Sequence, residues 1–369
     1  MANLPIENPG VYEETLASQL RTAAKVLSIE EVADLDEDGA ATLTDLAIPL
    51  YREDEQRKVG GEKLAELVHE EENQLPVAEN GVSYLRALDA SGRPVKVSTF
   101  AVNSADFGTP GTTAAIVAAI SRCAEAGGGV VHVPAGTWAI SEKIEVPSYV
   151  KLVGAGIDVT IFRAVDGLDD DLFTTPETGS LWSGNTEEGA QYWGIKECTI
   201  DGNKGNQSAG CGIRTYSRSY FVENVKIENC KGKGFQSRWG DGPAYDDDDD
   251  RSSDLFMEAR INNLLVQYCD EDGFWFDGPH DSRISQVICG LNSHSSHGDY
   301  PGFYTGPRAG GTQVSDCHSW GETQERAFKI ETGGICFANC YADEAYISLV
   351  HIMAPNVKWV GGNAIGGYI

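Results

Sequence analysis

Four-residue copies recur along the chain and hold its chemically capable residues: Ile213-Arg-Thr-Tyr216, Phe235-Gln-Ser-Arg238, Phe274-Trp-Phe-Asp277, Phe303-Tyr-Thr-Gly306, Phe328-Lys-Ile-Glu331 and Tyr346-Ile-Ser-Leu349. If each copy is a strand, alternation turns Ile213, Phe235, Phe274, Phe303, Phe328 and Tyr346 inward. Arg214, Gln236, Trp275, Tyr304 and Lys329 then form one outward column, and Tyr216, Arg238, Asp277, Gly306 and Glu331 the next. Aromatic rings beside carboxylates and cations suit a sugar, which offers apolar faces and hydroxyl edges. Trp275 and Tyr304 read as a sugar platform, with Arg238 and Lys329 as polar contacts. His280 and His297 fall in loops beside this face, where they could titrate or bind a ligand.

Asp277 and Glu331 share a column with Gly306 between them, so their backbones are expected two strands, roughly 10 Å, apart. Inverting glycosidases hold their two carboxyls about 6.5–9.5 Å apart to admit a water. Leaning side chains reach that range, with Gly306 leaving space for a sugar, and Glu331 and Asp277 become acid and base of an inverting hydrolase. The blander alternative is a pair of solvated carboxylates bridged to Arg238 and Lys329. A lyase is the other chemistry: Arg238 or Lys329 would remove the proton alpha to a uronate carboxylate. No cofactor is expected. The run Asp246–Asp250 is the one candidate for a divalent cation, but it lacks the spaced ligands and turn glycine of a dedicated calcium loop. It reads as a solvated loop.

The elements that must position these residues also repeat. Val131-His-Val133, Val150-Lys-Leu152, Ile195-Lys-Glu-Cys198, Val225-Lys-Ile227, Leu264-Leu-Val266, Val287-Ile-Cys289, Gln313-Val314, Ile335-Cys-Phe337 and Val357-Lys-Trp359 align as strands one solenoid coil apart. Cys198, Cys230, Cys269, Cys317 and Cys340 are expected in one buried column, since single cysteines lack the paired spacing of zinc sites. Ahead of them, Ala115, Ile116, Ala119, Ile120 and Cys123 mark an amphipathic helix over about 112–126, stopped by Gly127-Gly128-Gly129. The segments Gly-Gly-Gly-Val-Val-His-Val-Pro-Ala-Gly-Thr-Trp (127–138) and Val-Lys-Leu-Val-Gly-Ala-Gly (150–156) closely resemble the entry of the pectate-lyase-like right-handed β-helix family. The resemblance implies a right-handed parallel β-helix over 102–369, behind a small α/β module over 1–101. The galacturonase-type signatures Asn-Thr-Asp and Gly-His-Gly are missing, so the resemblance implies the fold more firmly than an enzyme.

Helices are expected over 13–27 and 62–70, and two strand–turn–strand units over 46–59 and 84–97. The segments 44–67 and 82–102 resemble the N-terminal modules that fix viral tail spikes and fibres to a virion. That resemblance implies a homotrimer held to a tail or baseplate protein through residues 1–101 and binding a host surface polysaccharide or glycoprotein, with cleavage of that glycan left open. A free-standing polysaccharide lyase or hydrolase and a purely structural virion protein stay open. The net charge of −28 argues against nucleic acid, no apolar run is long enough to insert in a membrane, and no signal peptide is legible. The expected location is a virion tail after synthesis in a host cytoplasm, and the acidic, lysine-poor composition suits a high-salt setting.

Overall fold

The computed structural model describes residues 48–52, 55–59, 86–88, 94–96, 101–176, 178, 189–239, 257–295 and 297–366. The helices expected over 13–27 and 62–70, and the run Asp246–Asp250, lie outside them. The chain divides into two units, Met1–Glu79 with Arg86–Val97, and Asn80–Leu85 with Ser98–Ile369. In the first, Ile48–Arg52 pairs antiparallel with Glu55–Val59, and Arg86–Leu88 with Pro94–Lys96.

The second unit opens with the helix Thr113–Glu125, which buries Ala115, Ile116, Ala119, Ile120 and Cys123. Its end is a glycine stop: the N–H of Gly128 donates to Cys123 O at 2.9 Å with φ +119°. A Cβ at Gly128 would also lie 2.7 Å from the Cβ of Tyr149, so this position admits no larger residue.

After the helix the described residues form a parallel β-helix with strands on three sides. The first side carries Ala101–Asn103, Gly129–His132 and Val150–Val153, and continues through the leading halves of Gly194–Asp201, Phe221–Glu228, Arg260–Gln267 and Arg283–Gly290. Each of these long strands turns a corner at one left-handed residue: Glu197, Asn224, Asn263 or Gln286. Asparagine tolerates that conformation because its short amide bonds locally. Here the amides also bond along the axis, with Asn263 Nδ2 donating to Asn224 Oδ1 at 2.8 Å and Asn224 Nδ2 to Glu197 Oε1 at 2.6 Å. The trailing halves form the second side. The third side runs through Ile213–Arg218, Phe235–Arg238, Phe274–Asp277, Phe303–Thr305, Arg326–Ile330 and Ser348–Ile352, all parallel.

Inside the third side Ile213, Phe235, Phe274, Phe303 and Phe328 lie in register and are fully buried. Successive ring centroids are 5.0, 4.6 and 5.2 Å apart from Phe235 to Phe328. Tyr346 does not continue this stack. Val350 is the residue opposite Phe328, and Tyr346 is 57% exposed, its N–H tied to Gln324 O before the strand begins. The cysteines differ from expectation as well. Cys198 stands opposite Val225, which stands opposite Leu264, whereas Cys230 and Cys269 lie beyond the ends of those strands. The corner residue and the following turn shift the two positions apart, giving two buried sets of free thiols in place of one column.

Candidate functional site

The outward side of the third sheet places Arg214, Gln236, Trp275, Tyr304, Lys329 and His351 in one column by strand register. Trp275 and Tyr304 stack with centroids 5.3 Å apart and planes 19° from parallel. Lys329 Nζ stands 6.0 Å from the centre of the Tyr304 ring. The Tyr304 hydroxyl donates to Glu331 Oε2 at 2.8 Å, and Lys329 Nζ lies 3.5 Å from Glu331 Oε1. A stacked aromatic pair, a cation and a carboxylate thus meet at one spot; Tyr304 is buried at 9% exposure, so the half-buried Trp275 offers the more open ring, and Glu331 keeps 28% of its side chain exposed.

Asp277 occupies the neighbouring column and is only 3% exposed. Its Oδ1 accepts from the backbone N–H of Arg308 at 2.9 Å, and its Oδ2 from the Arg308 guanidinium. The cation on Asp277 is therefore Arg308, not the expected Arg238, although Arg238 is its register neighbour in the preceding coil. The role expected of Gly306 changes too. A Cβ there would lie 2.4 Å from Asp277 Oδ1, so the room left by the glycine is filled by the Asp277 carboxylate, not held open for a sugar. Sequence reasoning missed Arg308. The available signal was that an aspartate at a closely packed outward position needs a cation, and Gly-Pro-Arg follows directly on the next strand.

His280 follows Asp277 in the loop at this edge, its Nδ1 2.7 Å from Asp281 Oδ2. His297 sits at the other edge, in the loop between Ser295 and Tyr300, apart from the Asp277 end. Those two residues line a cleft of about 520 Å³ with Arg214, Lys231, Lys233 and Glu271. Its charges are paired: Lys233 with Glu271 and Asp272, Lys231 with Asp270, and Arg214 with Asp171. Against the downward pull of burial, Asp272 and Glu271 hold the Lys233 ammonium above its ordinary range. The cleft reads as a brace between successive turns, at one end of the aromatic platform.

Burial pushes the Tyr304 phenol up, and the Glu331 carboxylate that it bonds pushes it further. Burial likewise raises Tyr220, whose hydroxyl lies 2.6 Å from Ser237 Oγ, and the enclosed Cys198 thiol. The sign follows from proton counting. Above about pH 10 the unfolded chain releases phenol protons that the folded chain retains, so folding stability is complete below that pH and falls as pH rises past it. The urea midpoint should therefore drop between about pH 9 and about pH 11. A midpoint that held or rose would show that these groups titrate freely in the folded protein.

The sequence model of the family described as "Rhamnogalacturonase A/epimerase, pectate lyase-like" matches residues 101–289, more than half of the chain. The matched stretch contains Arg238, Trp275, Asp277 and His280 and stops before His297, Tyr304, Lys329 and Glu331. Mannuronan C5-epimerase AlgE2 of Azotobacter vinelandii is 35% identical over 154 residues, covering 36% of this chain and 15% of its own length. Alginate lyase 7 of the same organism is 40% identical over 116 residues, covering 28% of this chain and 13% of its own. The chain spans at most 35% of the length of these curated relatives. Among solved structures, the A-module of A. vinelandii mannuronan C-5 epimerase AlgE4 aligns with a TM-score of 0.54 at 19% identity, over 70% of this chain and 76% of that one. The pre-mature gene product 12 of bacteriophage phi29 aligns with a TM-score of 0.53 at 17% identity, over 70% of this chain and 34% of that one. At these identities the likeness to solved structures is one of fold.

Proposed function

The chain belongs to the rhamnogalacturonase A/epimerase, pectate lyase-like family, and from that premise we propose that it acts on an anionic, uronate-containing polysaccharide laid across the Trp275–Tyr304 face. The observation that carries this reading is the meeting of platform, cation and paired proton groups at Tyr304, Lys329 and Glu331. In a chain with 56 acidic and 28 basic residues, this face sets Arg214, Arg238 and Lys329 beside Asp277 and Glu331, with Arg214 bridged to Asp171 and Lys329 to Glu331. Charges of both signs beside an aromatic ring suit a sugar that carries both carboxylates and hydroxyls.

Two of the similar proteins are named for changes to uronate polymers, a C5-epimerase and an alginate lyase. Both reactions begin by removing the proton on the carbon that bears the carboxylate. Lys329 would neutralise that carboxylate, which makes the proton easier to lose, while Arg238, three strands away in register, would meet another carboxylate along the polymer. Glu331 would accept it, and Tyr304, whose phenol keeps its proton, would act as the donor. Asp277, enclosed by Arg308, would hold that arginine at the edge of the face, and His280 and His297 would contact the chain at its two sides. The hydrolase alternative uses Glu331 and Asp277 as acid and base. One experiment separates these chemistries: incubation with polymannuronate, and in parallel with polygalacturonate, followed by proton NMR in deuterium oxide. Deuterium at C5 without chain scission marks epimerisation, unsaturated ends mark elimination, and saturated new reducing ends mark hydrolysis. If both polymers stay unchanged and unbound, the uronate reading fails.

Trp275→Ala should weaken polymer binding about three- to tenfold, the worth of one aromatic contact surface, with little effect on folding because the ring is outward. Affinity electrophoresis in polymer-containing gels would register it. Unaltered migration would remove Trp275 from the platform.

A second reading keeps the same face and sets it on a viral tail spike or fibre, with three copies associating and residues 1–101 as the anchor. What favours it is the separate first unit with its two hairpins. Light scattering tests it, since a mass other than three copies counts against the spike.

A further inference from the structure

The first side of the β-helix presents an outward face of its own. Strand register places Lys151, Gly194, Phe221, Arg260 and Arg283 in one outward column, with Lys196 and Glu223 in the column beside it. Among the described residues Glu223 is the only acid in these two columns from Ala101 to Ser285, although acids outnumber bases 56 to 28 in the chain. Lys151, Lys196 and Arg260 meet no carboxylate among the described residues, whereas Lys143, Lys204, Lys226, Lys231, Lys233 and Lys329 each do. Arg283 donates to the carbonyls of Asp281 and Ser282 at 3.1 and 3.3 Å. Glu258 and Asp281 precede Arg260 and Arg283 by two residues, and Glu223 stands opposite Lys196. Lys151 is therefore the cation least offset by acids in sequence and register.

Three aromatic side chains belong to the Lys151 end of this face. Tyr149 and Tyr192 stand at the corner where the side begins, each two residues ahead of the column, and stack with centroids 5.5 Å apart and planes 22° from parallel. They are 48 and 40% exposed. Both have left-handed backbones, φ +68° and +56°, a conformation uncommon for a bulky residue. The Tyr149 hydroxyl accepts from Gln191 Nε2 at 3.2 Å, which orients its ring. The half-buried Phe221 lays its ring over Gly194, where a Cβ would stand 2.4 Å from the ring's Cε1 and Cζ. An exposed ring pair in a strained backbone conformation adds little to the core, and its surface is left to a ligand.

We propose that this end of the first side is a second binding site, for a uronate-bearing polysaccharide. The rings of Tyr149, Tyr192 and Phe221 would cover apolar sugar faces. Lys151 and Arg260, three strands or about 14 Å apart, would meet carboxylates at two points along the polymer. Uncharged positions separate these two cations, which suits one charge per sugar rather than a densely sulfated chain. Single-stranded nucleic acid also stacks on aromatic rings, but a net charge of −28 opposes a phosphate at every step. The site lies on a different side of the β-helix from Trp275 and Tyr304, and it stands whether or not that face turns a polymer over.

The test is calorimetric titration of the full chain with oligogalacturonate and with oligomannuronate, beside dextran, dextran sulfate and polythymidylate. In a Trp275→Ala background, which weakens the other face, binding of a uronate oligomer should persist and fall as salt is raised. Tyr149→Asn and Tyr192→Asn remove the rings but keep a residue that tolerates the left-handed backbone, so circular dichroism and the unfolding midpoint should hold. Each should weaken the remaining binding about three- to tenfold, and Lys151→Gln about two- to fivefold. Failure of the Trp275–Tyr304 reading alone would leave this binding and its three sensitivities in place. Absence of uronate binding, its loss on Trp275→Ala alone, or its indifference to all three first-side variants would each overturn the proposal. So would binding of dextran, dextran sulfate or polythymidylate as tight as that of the uronates.

Discussion

Glu331→Gln is expected to lower turnover of the uronate polymer about a hundredfold or more, the usual contribution of a positioned acid–base group. The substitution keeps the shape of the side chain and its capacity to accept from the Tyr304 hydroxyl at the 2.8 Å contact. It removes the basic oxygen and the charge facing Lys329. Because the Glu331–Lys329 pair is partly solvated, its loss should cost folding about 1 kcal/mol at most. Polymer binding should change little, since platform and cations remain. Tyr304→Phe separates the two roles in the pair: it removes the donor but leaves the carboxylate, so proton removal followed by exchange with solvent should outlast net product formation. Steady-state turnover, measured alongside C5 deuterium incorporation, reads both. If Glu331→Gln retained full turnover, Glu331 would not be the proton acceptor, and the Glu331–Asp277 hydrolase pair would fall with it.

The legible part of this molecule is the part governed by alternation and stacking. Phe235, Phe274, Phe303 and Phe328 sit two residues from their next inward positions in four short strands, so the sequence alone predicts their common register, and the outward Trp275 and Tyr304 follow from it. Tyr346 misled because it has the right chemistry four residues ahead of the strand position, and the turn that shifts it has no strong sequence mark. The cysteines misled for a related reason. A strand that turns a corner through one left-handed residue, as at Glu197 or Asn224, still reads as continuous alternation, and nothing local fixes where its partner begins. The carboxylate site was half legible. Glu331 and Tyr304 come together because their strands are adjacent, which register predicts. Arg308 reaches Asp277 from a loop, and the loop path follows from packing rather than from period.

That loop sets the other large effect, at Gly306. Gly306→Ala would usually be mildly favourable, because alanine narrows the unfolded ensemble by about 0.4–1 kcal/mol. Here the sign should reverse. The new Cβ would stand 2.4 Å from Asp277 Oδ1 and 2.9 Å from Asp277 Cβ, closer than carbon can approach either. Asp277 cannot swing aside cheaply, because its two oxygens are held by the backbone N–H and the guanidinium of Arg308. Either the strand shifts or the buried ion pair parts, and losing one partner's contact in such a pair costs about 3–5 kcal/mol when complete. A loss of about 2–4 kcal/mol is expected, read as a lowered urea midpoint at unchanged slope. The cause is checked by repeating the substitution in an Asp277→Ala background, where the obstructing oxygens are gone. The cost of Gly306→Ala should then shrink to about 1 kcal/mol or less, a coupling well above that of independent sites. An undiminished cost would mean that the glycine is required by its own backbone and not by the carboxylate beside it. The Asp277–Arg308 pair would then be a consequence of the local fold, and no longer the feature that shapes this edge of the sheet.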